Sequence, residues 1–127
     1  MIEKGTVIFM DTKTIGINGE QAVLEYMLSK DYRLIVRNFE VHNVGELDLV
    51  FEKGEDIYIT EVRSRKNKGD YPDSARSVTA SKRRKIRNAA NILIARYGLY
   101  DRNIHFLVGQ VTHNEDGLVQ NVEIMPF

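Results

Sequence analysis

The sequence predicts a mixed α/β domain in which helices pack on a central sheet and the elements follow the order αβββαββ. Three observations support this fold class. Two segments carry apolar residues at helical spacing, five short segments are rich in apolar and β-branched residues, and turn sequences separate most of them. At 127 residues the chain is about the size of one domain, so we expect residues 1–127 to form a single domain.

The first helix is expected to begin near Asn18, a plausible N-cap that Gln21 follows three residues later, and to end near Lys30. Its apolar positions at helical spacing are Val23, Leu24 and Met27. Glu20 borders this apolar stripe, which is an unusual place for a carboxylate. Residues 1–15 leave two interpretations open, an extra strand or a loose arm.

The predicted strands cover residues 33–41, 47–51, 57–62, 104–112 and 118–124. Short turn sequences join the first three strands, which predicts an antiparallel meander. A polar loop is expected over 64–77, followed by a helix over 78–97. The apolar stripe of that helix comprises Ile86, Ala89, Ala90, Leu93, Ile94 and Tyr97.

The composition excludes several classes of protein. The chain has no cysteine, which excludes a disulfide framework and a thiolate metal site. It shows neither a signal-peptide pattern nor an apolar run that approaches the roughly 18 residues of a spanning helix. We therefore expect a cytoplasmic protein with no membrane partner.

Positive charge is concentrated in one segment, although the whole chain has 18 basic and 18 acidic residues. Residues 63–87 contain ten Lys or Arg and two Asp, which gives this segment a net charge of +8. Such asymmetry is typical of a surface that meets phosphate. A solvated basic helix face without a partner is the alternative.

Paired carboxylates could form a metal site on the second and third strands. Because side chains alternate along a strand, Glu46 and Asp48 are expected to share one face, as are Glu61 and Arg63. The short turn between the two strands would bring Asp48 near Glu61. Magnesium is held by one or two carboxylates, by waters and by phosphate oxygens, so this pair would suit it. The alternative is that these acids are ordinary outward-facing strand residues.

The sequence resembles the YraN-type proteins in four blocks across about residues 16–112. Residues 45–50 read GELDLV and residues 60–65 read TEVRSR, similar to the GEIDLI and VEVKxR stretches of that family. The sequence also fits the family's GxxGE…Y helix, its GY…N strand (with Asp31 for the glycine) and its AVxxxKxxRLxxxA helix (with Lys85 for the arginine and Ile86 for the leucine). The matching residues are Gly16, Gly19, Glu20, Tyr26, Tyr32, Asn38, Val78, Lys82 and Ala90. The family is similar to the Holliday-junction resolvases and other restriction-endonuclease-like nucleases with a D…(D/E)xK motif.

This resemblance implies a restriction-endonuclease-like fold and a set of site residues. Asp48 and Glu61 would be the ligands of Mg²⁺ or Mn²⁺, the main-chain carbonyl of Val62 would complete the set, and Glu20 would be a third acid. The family's lysine two residues after the Glu is Arg63 here. Arginine keeps the positive charge but cannot act as a base near neutral pH.

Other basic residues are candidates for phosphate contact. Lys82, in the first turns of the second helix, is expected either to reach the carboxylates or phosphate, or to lie along apolar surface with its amine in water. The expected contacts to the nucleic-acid backbone are Arg65, Lys66, Lys68, Arg83, Arg84 and Arg87. The three histidines, His42, His105 and His113, lack metal-ligand spacing and are interpreted as structural or surface residues.

Three functional hypotheses follow from these residues. The first is a metal-dependent nuclease that hydrolyses phosphodiester bonds in DNA, with branched or structured DNA as a candidate substrate. The second is a nucleic-acid-binding module of the same fold with impaired catalysis, which Arg63 favours. The third is an adaptor whose basic helix binds an acidic protein. Junction-cutting relatives often act as dimers, so a homodimer remains open.

Overall fold

A computed structural model describes residues 12–66 and 78–127 of the chain. Its elements are α1 (Thr12–Ser29), β1 (Arg33–Val41), β2 (Gly45–Lys53), β3 (Asp56–Lys66), α2 (Ala80–Tyr97), β4 (Asn103–His113) and β5 (Val119–Pro126). The predicted order αβββαββ is confirmed.

The five strands form one sheet in the order β1-β2-β3-β4-β5. The first three are an antiparallel meander, as predicted from their short connections. Because α2 crosses over between β3 and β4, these two strands are parallel, and β5 then returns antiparallel to β4. The sheet is therefore mixed, with the parallel pair near its centre.

The helices cover opposite faces of this sheet. Both faces bury apolar side chains that alternate along the strands. This burial stabilises the extended segments between the turns. The α1-side cluster includes Ala22, Val23, Leu24, Met27, Leu49, Phe51 and Val111. The α2-side cluster includes Phe39, Leu47, Val50, Ile57, Ile59, Ile86, Ala89, Ala90, Leu93 and Val108.

The predicted start of the first helix was wrong. The helix begins at Thr12 and continues through Asn18, so Asn18 is not its N-cap. Gly19 lies inside the helix because of packing: a Cβ at this position would collide with Ser64 Oγ on β3. Gly19 thus allows α1 to approach the sheet closely.

The second helix begins and ends on clear capping signals. The Thr79 side chain accepts a hydrogen bond from the Lys82 N–H at 3.2 Å, and Gly98 ends the helix in the left-handed conformation with φ of 64°. At the start of β2, a Cβ on Gly45 would lie 2.9 Å from the Lys85 carbonyl oxygen, so α2 also approaches the sheet closely. Tyr97, predicted on the apolar stripe, is 45% exposed.

The predicted loop over 64–77 was wrong at its start, because residues 64–66 belong to β3. Parallel pairing with β4 continues to Lys66 and His113 and holds this backbone in the sheet. The rest of that loop lies outside the described residues, as does most of the segment 1–15, for which a strand or an arm was expected. None of the described helices is long and apolar enough to cross a membrane.

Candidate functional site

The candidate site lies where β2 and β3 separate. The two strands pair from Lys53 and Asp56 as far as Leu49 and Thr60, and beyond this point β2 continues to pair with β1 alone. We call the resulting gap the β2–β3 opening. Within it the Val62 N–H donates to the Asp48 carboxylate at 2.8 Å. A side chain thus takes the place of a main-chain carbonyl in the ladder.

The path of β2 is irregular at Asp48. Leu47 packs in the α2-side cluster and Leu49 packs in the α1-side cluster, although side chains two apart on a regular strand share a face. We expected Glu46 and Asp48 to share a face because side chains alternate along a regular strand. That alternation is interrupted at Asp48. Asp48 lies between the two layers, where acids from both faces of the sheet can approach it.

Glu61 approaches Asp48 from β3, and its side chain is only 12% exposed. Burial and the neighbouring Asp48 raise the pKa of Glu61 to about 7, while Lys82 opposes this rise. The Asp48 and Glu61 side chains are close enough to share a hydrogen bond. Without a cation, Glu61 is therefore expected to be largely protonated below about pH 7.

Glu20 approaches Asp48 from α1. Burial, followed by the charges of Asp48 and Glu46, raises the pKa of Glu20, and Arg37 at 3.6 Å opposes the rise. We call Glu20, Glu46, Asp48 and Glu61 the acid cluster. Its members come from α1, β2 and β3, so the tertiary fold assembles it.

A cleft of about 380 Å³ adjoins the acid cluster on the α2 side. Glu61, Arg63, Thr79 and Lys82 contribute to its walls. Lys82 Nζ lies 3.2 Å from Glu61 Oε1, so the side chain reaches the carboxylates, with 49% of its surface exposed. The structure thus brings together Glu20, Asp48, Glu61, Arg63 and Lys82, the five residues predicted as catalytic.

The predicted nucleic-acid contacts that the structure describes lie on α2 and at the end of β3. Arg83 lies over the Phe127 ring and Arg87 over the Phe106 ring, each 5.9 Å from the ring centroid, while Arg84 is exposed. Arg65 and Lys66 end β3 at the same end of the sheet. Lys68 lies outside the described residues.

Two residues of β1 were missed as members of the site. Arg37 pairs with Glu20, and Asn38 donates its amide to Glu20 at 3.2 Å and to Glu46 at 3.3 Å in the amide orientation that satisfies its hydrogen bonds. Arg37 belongs to no recognisable motif, and Asn38 was noted only as a match to the family's GY…N strand, with no role in the site. An asparagine in the middle of a strand is unfavourable, however, and this was a signal that could have drawn attention to it.

The three histidines occupy structural or surface positions, as expected. His105 pairs with Asp56 at 2.8 Å, His113 is buried against Gly117, and His42 is exposed in the β1–β2 turn. Among residues 12–66 and 78–127, no group of three or more His, Asp or Glu side chains could hold a metal ion. A metal here would need ligands besides Asp48 and Glu61.

Sequence comparisons agree with the resemblance. The profile described as "Uncharacterised protein family UPF0102" matches residues 19–110. A UPF0102 protein of Symbiobacterium thermophilum is 32% identical over 115 residues, covering 87% of this chain and 96% of its own length. A UPF0102 protein of Dictyoglomus turgidum is 30% identical over 117 residues, covering 92% and 98% of the two chains.

A UPF0102 protein of Clostridium kluyveri is 34% identical over 113 residues, covering 89% of this chain and 91% of its own length. The family match includes Glu20, Asp48, Glu61 and Lys82. The chain therefore belongs to the uncharacterised protein family UPF0102, the YraN family.

Proposed function

We propose that this protein is a metal-dependent nuclease that hydrolyses phosphodiester bonds in DNA. One observation carries the proposal. Asp48 and Glu61, two carboxylates from neighbouring strands, meet in the β2–β3 opening, and Lys82 reaches them from α2. Holding two acids together in a partly buried place costs free energy through desolvation and like-charge repulsion, so the arrangement needs a functional reason.

The donors of the opening fit Mg²⁺ or Mn²⁺. Asp48 and Glu61 offer hard oxygen atoms, and burial together with the neighbouring Asp48 raises the pKa of Glu61, an effect that a bound cation would oppose. These two side chains would hold the ion, with water, main-chain oxygen and substrate phosphate as the remaining ligands. When bound, the ion would supply a more acidic water and stabilise negative charge on the phosphate.

The chain's own cations would bind and orient the substrate. Lys82 and Arg63 border the cleft next to Glu61, so a phosphate group there would contact two positive charges. Arg63 can stabilise charge that develops on the phosphate but cannot remove a proton. Lys82 would fix Glu61 and the phosphate relative to each other.

The basic residues of α2 and of the end of β3 would extend the contact along the nucleic-acid backbone. Arg83 and Arg87 are restrained over aromatic rings, which lowers the entropy lost when a guanidinium binds phosphate. Arg84, Arg65 and Lys66 border the same end of the sheet. Backbone contacts of this kind supply affinity without sequence specificity.

The test is a cleavage assay on duplex, single-stranded, flap and four-way-junction DNA with Mg²⁺ or Mn²⁺. We expect cleavage that requires the metal and is lost in Asp48→Asn. Asp56→Asn, at the other end of the sheet, is the matched control. Metal-independent cleavage, or equal cleavage by Asp48→Asn, would contradict the proposal.

A nucleic-acid-binding module without catalysis is the second candidate, and Arg63 in place of the family's lysine is the observation that favours it. It predicts retarded migration of DNA without cutting, in the wild type and in Asp48→Asn alike. Affinity should then fall steeply with salt concentration, because phosphate contacts release counterions.

A further inference from the structure

We propose that Asn38 is a positioning residue that holds the acids of the site in place from the neighbouring strand β1. The inference rests on the proposed function, and it assigns to β1 a part in the site. It is carried by the backbone conformation of Asn38, by the position of Asn38 opposite Asp48, and by the two carboxylates that its amide contacts.

The backbone of β1 changes direction at Asn38. Its φ of 53° lies in the left-handed region. Residues other than glycine rarely adopt this conformation, and asparagine is among those that tolerate it best. Such a conformation inside a strand costs free energy and interrupts the hydrogen-bond ladder. It persists only where surrounding interactions determine it.

The interruption in β1 faces the interruption in β2. The register pairs Arg37 with Leu49 and Phe39 with Leu47, which puts Asn38 opposite Asp48. Both strands therefore leave regular geometry at the same level of the sheet. Asp48 is thereby free to accept from the Val62 N–H on its other side, at 2.8 Å.

The amide of Asn38 binds two of the acids. It donates to Glu20 Oε1 at 3.2 Å and to Glu46 Oε1 at 3.3 Å. An amide can donate two hydrogen bonds without adding a charge, so it bridges the carboxylates without neutralising the cluster. Arg37, at 3.6 Å from Glu20, supports the same acid from the preceding position.

The chain provides a matched control for this role. Asn43, in the β1–β2 turn, also has a left-handed backbone with φ of 60°, and it is exposed. Asn38→Gly and Asn43→Gly change the same residue type in the same conformation, and glycine accepts both conformations. Asn38→Gly therefore removes an amide that contacts carboxylates, whereas Asn43→Gly removes one that contacts none in the described part of the chain.

The first measurement is Mn²⁺ affinity by calorimetry together with kcat and KM for DNA cleavage. Asn38 contacts Glu20 and Glu46 and not the proposed ligands themselves, so it would act on Asp48 through these neighbouring acids. Residues that orient a metal site from outside the ligand set typically contribute about 10-fold to 100-fold in affinity or activity. We expect Asn38→Gly to lose about tenfold in Mn²⁺ affinity and in kcat, with KM for DNA within about twofold of wild type. Asn43→Gly should match wild type in all three. Equal losses in both variants, or no loss in Asn38→Gly, would overturn the inference.

The second measurement needs no activity and separates the inference from the proposed function. In a double-mutant cycle on Tm without metal, we expect Asn38→Gly to lower Tm about 2 °C more than Asn43→Gly. At least half of this excess should disappear in a Glu20→Ala background, because the contact is already lost. Additive changes would overturn the role of Asn38 whether or not the protein cuts DNA. If the cycle shows coupling but the protein neither binds Mn²⁺ nor cuts DNA, the contact is supported and the proposed function is contradicted.

Discussion

The two ends of the sheet treat charge in opposite ways. At the end where β1 begins and β2 ends, charges are matched: Arg33 and Arg102 both bind Glu52, and His105 binds Asp56. At the other end, Arg37 pairs with Glu20 and Lys82 with Glu61, yet burial and neighbouring acids still raise the pKa of both carboxylates. The matched end can be explained by stability alone. At the acid end, the buried carboxylates lower the stability of the fold, and such costs are typical of places that serve binding or catalysis.

The largest expected effect is a difference in DNA cleavage between a variant at the acid end and a variant at the matched end. Asp48→Asn keeps an oxygen that can accept from the Val62 N–H but removes half of the charge offered to a metal. We expect at least a hundredfold loss of cleavage and no measurable Mn²⁺ binding, with an unchanged circular-dichroism spectrum. Asp56→Asn, which alters the matched end, should cleave like wild type. Similar losses in both variants would remove the distinction between the ends.

A pair of glycines compares how tightly the two ends are packed. Ala at Gly45 would place its Cβ 2.9 Å from the Lys85 carbonyl oxygen, whereas Gly54 has open space around it and φ of 61°. We expect Gly45→Ala to cost about 2–3 kcal/mol of unfolding free energy and Gly54→Ala about 1–2 kcal/mol, from backbone strain. Urea denaturation measures both values. A larger cost at Gly54 would mean that α2 can move away from β2 easily.

Removing a charge at the acid end should stabilise the metal-free protein. Because the pKa of Glu61 is raised to about 7, its charged form opposes folding. Glu61→Gln should therefore increase the free energy of unfolding at pH 7.5 in EDTA by about 1–2 kcal/mol, a value reduced for solvent that reaches the opening.

The sign of the pH dependence follows from the same shift. A carboxyl with a raised pKa favours the folded state while it is protonated, and that contribution is lost as pH rises from about 4.5 through about 7. The advantage of Glu61→Gln over wild type should grow across this interval and level off above it. An advantage that stays constant with pH would show that side-chain shape, not charge, is responsible.

The same change at the matched end should have the opposite sign. Glu52→Gln removes the charge that Arg33 and Arg102 share, so we expect a loss of about 1 kcal/mol or less, since Arg33 is largely exposed. The loss should shrink in 1 M salt, where such pairs are screened. Stabilisation by Glu52→Gln would contradict the contrast between the ends.

The order of elements was predictable because each strand and helix carries a local pattern. The apolar stripe Ile86, Ala89, Ala90 and Leu93 is buried as the helical spacing predicts. The start of α1 was not predictable from local signals, since Gly19 records a contact with Ser64 that is distant in sequence. Tertiary packing, and not a local signal, therefore accounts for the glycine inside this helix.

The site was predictable in part for a related reason. Asp48 and Glu61 lie on strands joined by a short turn, so their approach follows from the meander. Arg37 and Asn38 contact Glu20 from β1, and the match of Asn38 to the family's GY…N strand did not indicate a role in the site. Their role depends on an irregular backbone at Asn38, which strand periodicity cannot predict.

The parallel pairing of β3 with β4 has a consequence for how the protein folds. Pairs in the meander join positions that are near in sequence, such as Lys53 and Asp56, whereas every β3–β4 pair joins positions 47 apart, such as Asp56 and Asn103. Because closing long segments slows folding, we expect the meander to form first. Asp48 and Glu61 would then meet before α2 places Lys82 beside Glu61. A divalent cation present during refolding would therefore meet the acid pair before Lys82 reaches it.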